Sequence, residues 1–94
     1  MAKTAQLRDL AQGFGLLSDP TRLGILTLLA KGTTNITAAC KALRLKQPTL
    51  SYHLGLLRMG RLVNSIRHGR TVVYMTDKAN LKALAYALTR LMPK

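Results

Sequence analysis

Residues 35–59 read NITAACKALRLKQPTLSYHLGLLRM, and the pattern of this stretch decides the fold. Asn35 is a side chain suited to capping a helix start, and Ile36 to Leu43 predicts a short helix. A break through Arg44-Leu45-Lys46 leads to Gln47-Pro48. Proline fits an opening helical turn because the N–H it lacks would have no partner there. The helix that follows runs to about Met59 and turns Leu50, Leu54 and Leu57 inward. Two short helices joined by a three-residue turn, the second opening with polar side chains, make a helix-turn-helix arrangement.

On the N-terminal side, Leu7, Leu10, Ala11, Phe14 and Leu17 share one face of a helix over residues 4–17. Gly13 and Gly15 weaken that helix, so it needs a partner surface. Ser18-Asp19-Pro20 supplies a cap and a first-turn proline for a second helix, which runs to about Ala30 and stops at Lys31-Gly32. On the C-terminal side the period changes. Leu62 to Arg67 and Thr71 to Thr76 are rich in β-formers, with His68-Gly69 as the turn and Gly69 as the position of positive φ. Asp77 then caps a last helix over residues 78–92, apolar at Leu81, Leu84, Ala85, Leu88 and Leu91. The expected fold is mainly α with a small β-hairpin, in the order α-α-α-α-β-β-α, as one domain over residues 1–94.

Charge narrows the function. The chain carries fifteen Lys and Arg against three acids, a formal net charge of +12. The acids are Asp9, Asp19 and Asp77, so the segment from Pro20 to Thr76 is acid-free and holds nine of the basic residues. Such a field attracts phosphate. A single cysteine, Cys40, excludes an intramolecular disulfide scaffold. No apolar run approaches the ~20 residues that cross a bilayer, and no secretory signal is visible, so a cytoplasmic protein is expected. No acid–base pair or glycine-rich phosphate loop can be placed, which argues against an enzyme. The few aromatics argue against a single-stranded RNA platform. The helices also lack the Trp and the Lys-lined polar stripe of a membrane-surface role.

Double-stranded DNA is the partner that these residues fit. The second helix of the pair presents Gln47, Pro48, Thr49, Ser51, Tyr52 and His53 in its first half. Gln can bond an adenine edge bidentately, and Ser and Thr reach bases or phosphates. A helix N-terminus is itself a phosphate site. Arg58, Arg61, Arg67 and Arg70, on the helix end and hairpin, are placed to bracket a duplex backbone, with His68 beside them. His53 has two readings: a DNA contact, or a half-buried histidine packed beneath the hairpin.

The stretch Leu17-Ser18-Asp19-Pro20-Thr21-Arg22-Leu23-Gly24-Ile25-Leu26 resembles the opening of ArsR-type winged helix-turn-helix repressors. Lys46-Gln47-Pro48-Thr49-Leu50-Ser51-Tyr52-His53-Leu54 is similar to that family's recognition helix, and Arg67-His68-Gly69-Arg70 to its wing. The resemblance covers Leu17 to Thr76. It implies a homodimeric repressor with Gln47 to His53 in the major groove, the wing beside the minor groove, and the first and last helices at the dimer contact. Geometry agrees, because one such helix cannot read two half-sites ~34–36 Å apart. Leu7, Leu10, Phe14, Leu84, Leu88 and Leu91 are the candidate dimer residues, although some of them must serve the core. A low-specificity architectural DNA binder and a winged-helix protein-interaction module remain as competing uses of the same fold.

The chain departs from the family pattern at its sensor positions. Where many relatives carry a Cys-x-Cys metal site, this chain has Asn35 and Thr37. The last helix has no His or Glu to build the other common site, so no metal or other cofactor is expected. Cys40 reads as a buried small residue. Relatives carry Gly where this chain has Arg44 and Arg61. A left-handed non-glycine residue costs on the order of 1 kcal/mol, so both turns are expected to be strained or rearranged, with the added charge serving phosphate contacts.

Overall fold

The computed structural model describes residues 4–94; residues 1–3 of the expected domain lie outside the described residues. Five helices form: α1 (Thr4–Leu16), α2 (Pro20–Leu29), α3 (Ile36–Leu43), α4 (Gln47–Met59) and α5 (Lys78–Thr89). Three of them start at the caps foreseen in the sequence. The Asp19 carboxylate accepts from the Arg22 backbone N–H at 3.0 Å, with Pro20 opening α2. Asn35 Oδ1 accepts from Ala38 N–H at 2.8 Å, and Asp77 Oδ1 from Asn80 N–H at 3.1 Å. Each bond satisfies a first-turn donor that has no partner within its helix. The last helix stops at Thr89, short of the expected Met92. Its end tightens into i→i−3 bonds from Leu91 to Leu88 and from Met92 to Thr89, ahead of Pro93, which disfavours the helical region at Met92.

The sheet holds one strand more than the expected hairpin. β1 (Thr34–Asn35), β2 (Val63–His68) and β3 (Thr71–Thr76) form an antiparallel sheet in the order β1-β3-β2. β2 and β3 pair from Val63↔Thr76 to His68↔Thr71, so the hairpin loop is Gly69-Arg70 rather than His68-Gly69. Gly69 opens it at φ 63, the conformation that a two-residue hairpin loop demands and a Cβ resists. β1 pairs Thr34 with Tyr74 and Asn35 with Val73, which ties the start of α3 to the wing. The arrangement is a winged helix-turn-helix.

The core runs through the middle of that arrangement. Leu50 and Leu57 of α4 are fully buried, with Leu54 beside them, against Ile25, Leu26 and Leu29 of α2, Ala39 of α3, and Leu62 and Val63 leading into β2. α4 is therefore held by three successive inward leucines, at ~2 kcal/mol or more of burial each. No residue of α1 is fully buried. That helix docks through Gly13, whose missing Cβ lets Leu84 of α5 approach, and through Leu16, whose Cδ1 occupies the space a Cβ on Gly60 would need.

Arg44 and Arg61 do take left-handed backbone, at φ 54 and φ 61. Each sits in a Schellman-type helix end: Leu45 N–H reaches Cys40 O at 3.1 Å, and Leu62 N–H reaches Leu57 O at 2.9 Å. The leucine after each arginine packs inward, half-buried at 45 and buried at 62, and this holds the strained residue in place.

Candidate nucleic-acid interface

α4 divides into two faces. Leu50, Leu54 and Leu57 face the core, while Gln47, Pro48, Thr49, Ser51 and Tyr52 are exposed. Lys46 at the N-cap position makes no side-chain capping bond. The first-turn N–H groups, which at the starts of α2, α3 and α5 donate to Asp or Asn oxygens, are thus without a side-chain cap at the start of α4. Free donors at the positive end of a helix dipole suit a phosphate. Tyr52 is 64% exposed and meets the His53 ring edge-on.

His53 is half-buried, but its partners are not those of a histidine packed beneath the hairpin. Its side chain is only 14% exposed, and it packs at the start of α2 rather than beneath the hairpin. Helical periodicity turns position 53 off the exposed face, between Tyr52 and the buried Leu54. Its Nδ1 lies 3.3 Å from Arg22 Nη1 and 3.9 Å from Asp19 Oδ2. The Arg22 backbone N–H holds the Asp19 carboxyl below its ordinary range; partial burial opposes this, and the charges of Arg22 and His53 reinforce it.

Arg67, His68 and Arg70 are exposed at the hairpin tip, as is Arg58 in the last turn of α4. Arg58 lies eleven residues after Gln47, roughly 16 Å along the axis, so it does not share the N-terminal patch. The structure adds residues that the sequence did not single out. Thr37 and Lys41 of α3 join Arg70 and Thr71 of the wing around a cleft of about 560 Å³. Their i, i+4 spacing on α3 was the available signal; their meeting with the wing depends on β1.

The six candidate dimer residues separate by burial. Leu84 lies in the core of its own chain, against Gly13, so it is not available as a surface contact. Leu10 and Phe14 are half-buried on the same core. Leu7, Leu88 and Leu91 are 50%, 55% and 67% exposed. A groove of about 740 Å³ runs between α1 and α5, and Arg61 and Arg90 line it together with Leu7, Leu10 and Leu91. Arg61 therefore faces the α1–α5 side, whereas Arg44 stands in the turn that leads into α4.

Among the described residues, no three His, Cys, Asp or Glu side chains gather as a metal site requires, and no helix is long and apolar enough to cross a membrane. Cys40 is half-buried against the core.

A family model described as "Bacterial regulatory protein, arsR family" matches residues 19–65. The arsenical resistance operon repressor of Escherichia coli K12 is 42% identical over 64 residues, covering 67% of this chain and 55% of that protein. The chain spans about half the length of that repressor and of other curated relatives it matches. Among solved structures, an ArsR-like transcriptional regulator from Rhodococcus sp. RHA1 superposes with a TM-score of 0.87 at 30% identity, covering 96% of this chain and 83% of that one. The homodimeric winged helix-turn-helix DNA-binding domain of Mb0332 from Mycobacterium bovis superposes with a TM-score of 0.78 at 28% identity, covering 93% and 82%.

Proposed function

The chain belongs to the arsR family of bacterial regulatory proteins, and from that premise we propose that it is a cytoplasmic transcriptional repressor that binds a near-palindromic DNA operator as a homodimer. One observation carries this reading. The N-terminal half of α4 exposes Gln47, Thr49, Ser51 and Tyr52 on a helix whose opposite face is locked into the core, at an end with no side-chain cap. Such a helix offers a fixed register of donors and acceptors to a major groove, and its first turn offers N–H groups to a phosphate. Gln47 is the candidate base reader. Thr49, Ser51 and Tyr52 contact bases or backbone, and His53 supports them from its half-buried position without touching DNA. Arg67, His68 and Arg70 hold the backbone beside the wing, and Arg58 holds it farther along. No catalytic group enters the mechanism, and the protein is not an enzyme.

A dimer follows from length. α4 has thirteen residues, roughly 20 Å, and reaches one half-site; two half-sites a helical turn apart need two copies. The exposed Leu7 and Leu91 line the α1–α5 groove, and a two-fold partner would cover them together with the exposed Leu88, with Leu10 and Phe14 supporting from beneath. Thr4–Leu16 and Lys78–Thr89 are the dimerisation helices in this reading. Repression needs no metal at Asn35 and Thr37, whose oxygen donors do not replace a pair of thiolates, and Cys40 is a single half-buried thiol against the core.

The test is selection of bound fragments from a randomised duplex library at physiological salt, then anisotropy titration of the winner against a scrambled duplex. Recovery of a near-palindrome preferred by roughly 10³-fold supports a specific dimeric repressor. Tight binding without enrichment is the architectural behaviour that the +12 charge would also permit. Absence of binding moves the search to protein partners.

A further inference from the structure

We propose that Arg22 is a positioning residue for DNA recognition, joining the C-terminal end of α1 to the recognition helix through His53. The inference rests on the repressor reading and adds to it a residue that touches no DNA. Arg22 occupies the first turn of α2, and its half-buried side chain folds back toward α1. Nε donates to Leu16 O at 2.7 Å, and Nη2 points at Gly15 O at 3.5 Å. Those carbonyls belong to the last turn of α1, the negative end of its dipole, where a cation is favoured. The remaining nitrogen, Nη1, faces His53 Nδ1 on α4 at 3.3 Å. One planar guanidinium thus spans three helices.

Chemistry fixes the direction of the last bond. A guanidinium only donates, so in this bond Nδ1 accepts and Nε2 is left to carry the ring hydrogen. Asp19 Oδ2 stands 3.9 Å from the same Nδ1, farther than the arginine nitrogen, which remains its nearer partner. His53 stands directly after Ser51 and Tyr52, which are exposed, and directly before Leu54, which is buried. A displacement at His53 therefore moves the DNA-facing side chains against a fixed core. α1 has no fully buried residue of its own, and the Arg22 bonds act beside the packing of Leu16 on Gly60 in setting how its C-terminal end sits. In a dimer built through α1 and α5, the bonds carry the arm's placement to each recognition helix, and so bear on the half-site spacing the dimer accepts.

The experiment uses the full chain and four single variants: Arg22→Lys, Arg22→Gln, His53→Asn and His53→Gln. Each is measured for thermal stability and for affinity to the selected operator, to the operator with one base pair inserted between half-sites, and to a scrambled duplex. Lysine keeps the charge but cannot hold a carbonyl and an imidazole together. R22K is expected to lose about tenfold in operator affinity, the scale of one mismatched base pair, and most of its preference for the native spacing, with scrambled binding changed less than about twofold. R22Q should do the same and also bind all duplexes somewhat more weakly. The asparagine oxygen can stand at the Nδ1 position, so H53N should stay within about threefold of wild type, whereas H53Q should behave like R22K. Nitrogen-15 spectra should show the wild-type His53 imidazole as the tautomer with its hydrogen on Nε2, a preference lost in R22K. If R22K lowers stability yet keeps operator and spacing preference, or if H53N and H53Q lose affinity equally, Arg22 is only a structural cap and the proposal falls alone. A wild-type protein with no operator preference overturns the repressor reading and this proposal together.

Discussion

Arg44→Gly and Arg61→Gly, made one at a time, should both stabilise the chain, while only the first should weaken its grip on phosphate. Both arginines hold left-handed backbone, at φ 54 and φ 61, where a Cβ crowds the following carbonyl at a cost of ~1–2 kcal/mol. Glycine removes that cost but gives the unfolded chain extra freedom worth about 0.4–1 kcal/mol. The net gain is about 0.5–1 kcal/mol per site, or roughly 2–8 °C in melting temperature for a domain of this size. The charge effect differs because the side chains stand on different sides. Arg44 is exposed in the turn leading into α4, while Arg61 lines the α1–α5 groove with Leu7, Leu10 and Arg90. Loss of one phosphate contact lowers the slope of log K against log salt by about 0.9, hence by about 1.8 for a two-fold dimer. R44G should show that change and R61G none, in anisotropy titrations between low and physiological salt. Arg44→Ala separates the two effects: it removes the charge and keeps the strained backbone, so its salt slope should match R44G without the gain in stability. Equal slopes for wild type and R44G would refute the placement of Arg44 beside DNA. A fall in stability for both glycine variants would refute the strain argument itself.

Four further outcomes follow from the same geometry. Gln47→Ala should cost roughly 1–3 kcal/mol on the operator and relax preference at one base position, whereas Arg70→Ala should weaken every duplex alike, both read by competitive titration. Leu57→Ala empties a fully buried position and should destabilise the fold by about 2–5 kcal/mol in urea unfolding. Gly60→Ala forces Leu16 aside and should lower stability by about 1 kcal/mol, an effect that Leu16→Ala in the same chain should largely erase. The Asp19 carboxyl is held below its ordinary 3.8 in the folded chain, so its contribution is present above that value and is lost as pH falls through the lowered one. Asp19→Asn, which still caps α2, should therefore flatten the acid limb of the stability profile while leaving the helix content at neutral pH unchanged.

What could be read from the chain and what could not divide along one physical line. Local rules located the three capped helices, the buried Leu50, Leu54 and Leu57, and the positive φ at Gly69, because each depends on residues near one another in the chain; the strain at Arg44 and Arg61 was read from the family resemblance, whose pattern has glycine there. β1 escaped notice because two residues carry no period; Thr34 and Asn35 become a strand only when Tyr74 and Val73 arrive beside them. The same closure brings Lys41 to Arg70, which no spacing on either element foretells. His53 shows the limit most sharply. The sequence left it between a DNA contact and a place beneath the hairpin, because its partner, Arg22, lies thirty-one residues away, and a bond of that separation is written in tertiary packing alone. Arg61 makes the converse point: its backbone strain was predictable, yet the side chain faces the α1–α5 groove, because where a side chain points after a left-handed turn is set by the helices around it. The candidate DNA face was thus readable as a list of side chains. Its stiffness was not, and stiffness is what converts such a list into sequence preference, since a donor free to wander by an ångström cannot distinguish one base edge from the next.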